Sequence, residues 1–237
     1  MAITINVREQ LESQSLAARL NWLRAGVLGA NDGIVSTAGL VFGVAGATAD
    51  PVALLIAGLA GMIAGSLSMA GGEYVSVSSQ RDSELAALQR QEAELGTDPA
   101  GMQRQLAGHY VDRGLSPQLA EQVAAELSAH AALDAHAQAF LNLDADERVS
   151  PWAAARASLV AFFAGSLIPL VAIVTAPVGI RLPLTVVAVL AALMLTGLLS
   201  AWRGGARPLR PVLRNLTVGS LTMGLTYLAG WLVGLQL

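Results

Sequence analysis

The chain has no cysteine, and its fourteen basic residues are all arginine. Aromatic residues make up only 5% of it and charged residues only 13%. Without cysteine there is no disulfide, no thiolate metal site and no thiol nucleophile. Catalytic signatures are missing too: no HExxH, Walker loop, GxGxxG, CxxC or Ser-His-Asp set occurs, and the chain is expected not to be an enzyme. Arg8, Glu9, Glu12 and Arg19 interrupt the start, which lacks the apolar core of about 7–15 residues that a cleavable signal peptide needs.

Hydrophobic residues supply 54% of the 237 positions, and the mean hydropathy is +0.56. A soluble domain is about 45–50% apolar and about 25% charged, so this is a membrane composition. The apolar positions gather into five runs: about 25–49, 52–79, 154–176, 183–202 and 212–235. Each is long enough for a helix that spans a bilayer, which takes about 20 residues. The fold class expected is all-α: a polytopic membrane protein with five transmembrane helices and a helical cytosolic domain inserted between helices 2 and 3. Four parts follow: an N-terminal segment 1–24, transmembrane helices 1–2 over 25–80, the acidic helical domain 81–150 and transmembrane helices 3–5 over 151–237. Residues 8–22 form either an amphipathic helix on the membrane surface or a solvated leader helix. The acidic domain divides at Gly96–Pro99 and Gly114–Pro117 into helices near 81–95, 100–112 and 117–141, with Ser116-Pro117 as an N-cap and a first-turn proline.

Arginine placement sets the orientation. With the N-terminus inside, only Arg181 falls outside, so the N-terminus and the 81–150 domain are expected in the cytosol and the C-terminus outside. A bacterial-type cell (inner) membrane is expected as the host rather than a vacuole. The acidic domain argues against a nucleic-acid partner.

Ionisable residues inside a span are expensive, at about 2.5–3.5 kcal/mol for a central Asp, and point to function. Asp32 lies about 12 Å into helix 1 at 1.5 Å rise per residue. Glu73 stands near the same end of helix 2, with Met69 about 6 Å deeper. If helices 1 and 2 pack together, Asp32, Met69 and Glu73 occupy neighbouring levels, with Asn31 beside Asp32. On a continuous helix, Met62, Met69, Glu73, Gln80 and Glu84 also share one stripe. Thioether sulfur with carboxylate oxygen suits a borderline divalent transition metal better than Mg²⁺ or Ca²⁺. The plainer readings are an N-cap or interhelical hydrogen bond for Asp32, an interfacial snorkelling Glu73 and a packing or lipid-facing Met62. In the acidic domain, Glu126, His130 and Asp134 are spaced i, i+4, i+8, a possible divalent-metal face or simply a solvated one. The glycine pairs and triplets Gly39/Gly43, Gly58/Gly61/Gly65, Gly71/Gly72 and Gly219/Gly224/Gly230 permit close helix approach.

Four stretches carry a family resemblance: Gly29-Ala-Asn-Asp-Gly-Ile-Val-Ser-Thr37, Gly65-Ser-Leu-Ser-Met-Ala-Gly-Gly-Glu-Tyr-Val-Ser-Val-Ser-Ser-Gln-Arg-Asp82, Arg113-Gly-Leu-Ser116 and Gly165-Ser-Leu-Ile-Pro-Leu170. They resemble the vacuolar iron transporter family, which includes nodulin-21-like proteins. The resemblance implies a homodimer and proton-coupled export of Fe²⁺, and often Mn²⁺, from the cytosol. It implies Asp32 and Met69 on the translocation path, with Glu73 as the motif's glutamate. It also implies metal binding by Glu84, Glu92 and Glu94 on the first cytosolic helix. Relatives carry more glutamates there and one near the end of the third cytosolic helix. This chain has Gln89, Gln91 and Ala93, and later Gln138, Ala139 and Phe140. The expected function is a divalent-metal/proton antiporter with Fe²⁺ or Mn²⁺ as substrate and no tightly bound cofactor. The alternative is a membrane-anchored metal-buffering or sensing protein that transports nothing.

Overall fold

The computed structural model describes residues 2–143, 150–203, 205 and 207–236; for residues 2–24 and 203 it describes the backbone course alone. Asp144, Asp146, Glu147 and Arg148, within the expected acidic domain 81–150, lie outside the described residues. Among the described residues seven α-helices follow one another: α1 Ala2–Ala47, α2 Pro51–Thr97, α3 Pro99–Asp112, α4 Pro117–His136, α5 Pro151–Thr175, α6 Arg181–Arg203 and α7 Leu209–Gly234. A π-helical turn, Ala137–Leu141, extends α4, and a 3₁₀ turn, Val178–Ile180, leads into α6. Among the described residues five helices are long and apolar enough to cross a membrane. The chain forms two compact units, Met1–Val75 with Pro151–Leu237, and Ser76–Ser150.

Several helix ends differ from the sequence expectation, for local reasons. Residues 8–22 are not a separate helix, because α1 is continuous from Ala2 to Ala47. α6 and α7 begin at Arg181 and Leu209, ahead of the expected 183 and 212, so Pro183 and Pro211 sit in their first turns. A first-turn proline loses no intrahelical hydrogen bond, so it is tolerated there. Asp50 starts α2 as expected of Asp-Pro: its carboxylate accepts from the Val52 amide at 3.0 Å. α2 then runs without a break to Thr97.

In the membrane unit, α1 packs along α5 and α7, and α6 completes the bundle. The core joins Ile34, Val41 and Phe42 of α1 with Ile173 of α5, Val189 and Leu193 of α6 and Met223 of α7. Glycine makes the α1 crossings possible. A Cβ on Gly165 would collide with the Ala30 carbonyl, and one on Gly230 with the Gly43 carbonyl. Gly71, Gly72 and Gly224, also expected at close approaches, have open space where a Cβ would stand. Ile56, Leu67, Val160, Val187 and Leu225 are exposed, as side chains that face lipid must be. At one end of the bundle, Tyr74 and Trp152 meet with ring centroids 4.8 Å apart. Rings of this kind favour the membrane–water boundary. At the opposite end the buried Arg181 donates Nη1–H to the Ala49 carbonyl at 3.4 Å, beyond the last turn of α1.

The Ser76–Ser150 unit is built from the end of α2 with α3 and α4, whose shared core is Leu106, Ala107 and Ala124. Asp98 caps α3 by accepting from the Gly101 amide at 2.8 Å, and Pro99 follows it. Ser116 holds the N-cap position of α4, but its side chain makes no capping hydrogen bond. Gly114 turns the chain between α3 and α4 at φ 100°, a conformation glycine adopts without steric penalty.

Candidate functional site

A cavity of about 370 Å³ opens between α1, α2 and α5 within the membrane unit. Asp32 and Ser36, one turn apart on α1, supply its polar groups together with Ser68 and Glu73 of α2. Ser36 Oγ donates to Asp32 Oδ1 at 3.1 Å, which fixes one carboxylate oxygen and leaves the other free to accept. Met69 contributes its thioether on the same α2 face as Glu73, one turn away. Leu40, Gly61, Gly65 and Phe162 form the apolar lining. Hard oxygen and soft sulfur thus coincide in one space. Such a lining can strip part of the hydration shell from a divalent ion and replace it with carboxylate and thioether ligands.

The α1/α5 crossing aims Asp32. Gly33 lies against the Phe162 carbonyl so closely that no Cβ fits, and Ser166 Oγ donates to the Gly33 carbonyl at 3.2 Å. These contacts pin α1 beside Asp32 and push Phe162 toward α2. Asn31, one residue earlier, is turned about 100° away. Its Oδ1 lies 3.5 Å from Thr196 Oγ1 of α6, whose hydroxyl also reaches the Leu193 carbonyl at 3.0 Å. Asn215 of α7 donates Nδ2–H to that carbonyl and to Thr196, each at 3.4 Å. Asn31 therefore belongs to an α1/α6/α7 polar contact, not to the cavity lining.

Met62 does not line the cavity either; it is buried, and its carbonyl accepts from Ser66 Oγ at 2.7 Å. It shares an angular position with Met69, but two turns further along α2 the cleft is already filled with apolar side chains. Sequence reasoning named Asp32, Met69 and Glu73, which share this space, but not Ser36, Ser68, Leu40 or Phe162. Ser36 carried a signal, four residues after Asp32 on one helix. Phe162 carried none, because only the α1/α5 crossing brings it there.

The acidic unit differs from its expected form. α4 is non-helical at Ala131 (φ −156°, ψ 66°), so Glu126, His130 and Asp134 do not lie on one continuous helical face. Glu126 and His130 are exposed and Asp134 is half-buried. Glu84 accepts from Gln80 Nε2 at 2.8 Å, and Glu92 and Glu94 are exposed. Among the described residues, no three or more His, Cys, Asp or Glu side chains are grouped to hold a metal. The buffering alternative, which needs such a group, gains no support from these side chains.

The histidines passed over in the sequence are the buried ones. His136 is fully buried, and its Nδ1 lies 3.3 Å from Gln91 Nε2. Phe140 stands between His136 and His109, with centroids 5.5 and 5.2 Å away. Nε2 of each imidazole is buried without a hydrogen-bond partner among the described residues. Burial holds the His136 pKa below its ordinary 6.5, and the charge of Glu94 opposes that shift.

Comparison with known proteins agrees with this architecture. The profile of the VIT family matches residues 23–231. The chain is 38% identical over 226 residues to the vacuolar iron transporter of Acanthamoeba castellanii, across 92% of this chain and 81% of that protein. It is 34% identical over 232 residues to vacuolar iron transporter homolog 2 of Arabidopsis thaliana, across 98% and 94%. Against vacuolar iron transporter homolog 1 of rice (Oryza sativa subsp. japonica) it is 36% identical over 211 residues, across 89% and 73%. These relatives are named for a vacuole and give no support to a bacterial-type host membrane. With the profile covering nearly the whole membrane unit, this multi-pass membrane protein belongs to the VIT family.

Proposed function

We propose that the protein carries a divalent transition metal, Fe²⁺ and also Mn²⁺, out of the cytosol in exchange for protons. The observation that carries this reading is the shared cavity of Asp32, Met69 and Glu73 inside the membrane unit. The names of the relatives, all iron transporters or their homologues, support the choice of cargo. Arginine placement supports a cytosolic N-terminus and a cytosolic Ser76–Ser150 unit. In that unit the dispersed carboxylates concentrate cations electrostatically, without chelating them. Glu73 receives the ion at the mouth of the cavity, and Met69 and Asp32 hold it deeper. Exchange needs a carboxylate at which a proton and the metal compete for the same oxygens, and Asp32 and Glu73 are the candidates. Two copies assemble as a homodimer.

Uptake of Fe²⁺, Mn²⁺ and Mg²⁺ into proteoliposomes tests this reading, with and without a pH gradient. Uptake of Fe²⁺ and Mn²⁺ that rises with the gradient, and little Mg²⁺ uptake, is the expected result. Flux that ignores the gradient removes the exchange step. Absence of any flux, with metal bound by the protein, returns the buffering alternative.

A further inference from the structure

Acidic and basic residues are divided unevenly along the chain. From Arg148 to the end there are seven arginines and no Asp or Glu. Three of the seven, Arg207, Arg210 and Arg214, fall within eight residues at the start of α7, and all three are exposed. Among the described residues, none of their guanidinium groups makes a hydrogen bond or an ion pair. Arg156 and Arg181, by contrast, donate to the carbonyls of Trp152 and Ala49. At about 100° per residue, Arg210 and Arg214 fall within about 60° of Leu221, Leu225, Leu228 and Leu232 on α7. Those four leucines are exposed as well, so the two arginines stand at the end of a stripe that faces lipid. Arg214 lies about 7.5 Å along α7 from Leu209, at 1.5 Å per residue. A cation on such a stripe is costly unless its stem carries the charge to the boundary, where an anion can meet it.

The surroundings place these arginines at the headgroup level. Trp202, at the end of α6, is exposed, as are Leu209 and Leu213 beside the arginines. Tryptophan favours that boundary. α6 also holds the start of α7 in place. A Cβ on Gly197 would stand 2.9 Å from Val212 Cα, and Asn215 donates to the Leu193 carbonyl and to Thr196. The arginines are therefore carried on a braced backbone and lack an anionic partner among the described residues. We propose that Arg207, Arg210 and Arg214 form a binding site for the headgroup of an anionic phospholipid, with preference for a headgroup that bears two phosphates. A guanidinium group pairs with phosphate through two parallel N–H donors. Arg210 and Arg214, one turn apart, can each engage a phosphate of one headgroup, and the leucine stripe below them receives the acyl chains. The site is separate from the Asp32 cavity and does not depend on which ion the protein carries.

The test uses the full chain in detergent micelles that contain phosphatidylcholine, phosphatidylglycerol or diphosphatidylglycerol. Native mass spectrometry counts the lipid each protein retains, and thermal unfolding is followed alongside. The unsubstituted protein should retain diphosphatidylglycerol about tenfold or more over phosphatidylcholine, with phosphatidylglycerol between them. An arginine near an anionic surface changes affinity about fivefold, so Arg210→Gln combined with Arg214→Gln should weaken retention about 25-fold. Either single substitution, at about fivefold, carries the test if the double variant does not fold. Arg156→Gln removes one exposed charge elsewhere on the membrane unit and should change retention by less than about twofold. Equal retention of phosphatidylcholine and diphosphatidylglycerol by the unsubstituted protein overturns the site. So does an equal loss in Arg156→Gln, which would make the effect one of general charge. Inorganic phosphate that stabilises the protein as much as diphosphatidylglycerol does would also overturn it, because the site would then hold a free anion and not a lipid.

Discussion

Replacing Gly33 by alanine puts a single methyl group where the structure has no room for it. The added Cβ would stand 2.9 Å from the Phe162 carbonyl carbon and nearer still to its oxygen. Comfortable contact between carbon atoms is about 3.5–4.0 Å, so α1 and α5 must separate locally by about 1 Å. Overpacking of this kind costs about 1–3 kcal/mol. The exchange of glycine for alanine within a helix returns up to about 1 kcal/mol. The net loss of stability is therefore modest, and the protein is expected to assemble. Function suffers more, because Gly33 adjoins Asp32 and Phe162 lines the same cavity. A misplacement of about 1 Å in a positioned site can reduce rate about 100-fold. We expect Gly33→Ala to lower the initial rate of Fe²⁺ uptake by about tenfold or more. Gly71→Ala, where nothing lies within 4 Å, is the control and should match the unsubstituted protein. The assay is proteoliposome uptake normalised to reconstituted protein, with thermal stability in detergent measured alongside. Full-rate uptake by Gly33→Ala would refute the argument that the α1/α5 crossing sets the position of Asp32.

Met69→Leu conserves volume and should fold, yet it removes the only sulfur that lines the cavity among the described residues. Its Fe²⁺ or Co²⁺ uptake should fall several-fold more than its Mn²⁺ uptake, as competition assays would show. Asn31→Leu strips the Thr196–Asn215 pair of an acceptor, at about 1–3 kcal/mol for the polar groups left unpaired. It should lower the melting temperature with a smaller effect on the metal KM than substitutions of Asp32 have. His136 gives a pH dependence with a definite sign. Its folded pKa is lowered below 6.5, so the neutral ring is the form the fold holds. The stability it contributes is complete above about pH 6.5 and is lost as the pH falls from there through the folded value. Hydrogen exchange of α3 and α4, corrected for intrinsic rates, should therefore show less protection at pH 5.5 than at pH 7.5, and His136→Phe should flatten the difference.

The five spans were legible because each is a long apolar run closed by proline, glycine or charge, and a bilayer leaves such a run few alternatives. Asp32 was legible for the same reason: a carboxylate in an apolar run has few uses besides function. Boundaries at Pro183 and Pro211 were misplaced because proline breaks a helix interior but suits a first turn. The i, i+4, i+8 spacing of Glu126, His130 and Asp134 assumes an unbroken helix, and nothing in the local sequence marks the non-helical Ala131. His109 and His136 were passed over because their burial depends on the packing of α3, α4 and the π-helical turn, which is tertiary information. Leu40 and Phe162 were invisible for that same reason. Each resembles many other apolar residues of the spans until the glycines opposite them are located.

The most direct measurement follows Fe²⁺ and protons together across the same vesicles, comparing the unsubstituted protein with Asp32→Asn, which keeps the shape of the side chain and removes its charge. Loss of both fluxes in the variant, with the protein still folded and inserted, is the result this account predicts. Continued metal movement at the original rate would contradict it, because the ion would then be crossing the membrane without the carboxylate on which the proposed path depends.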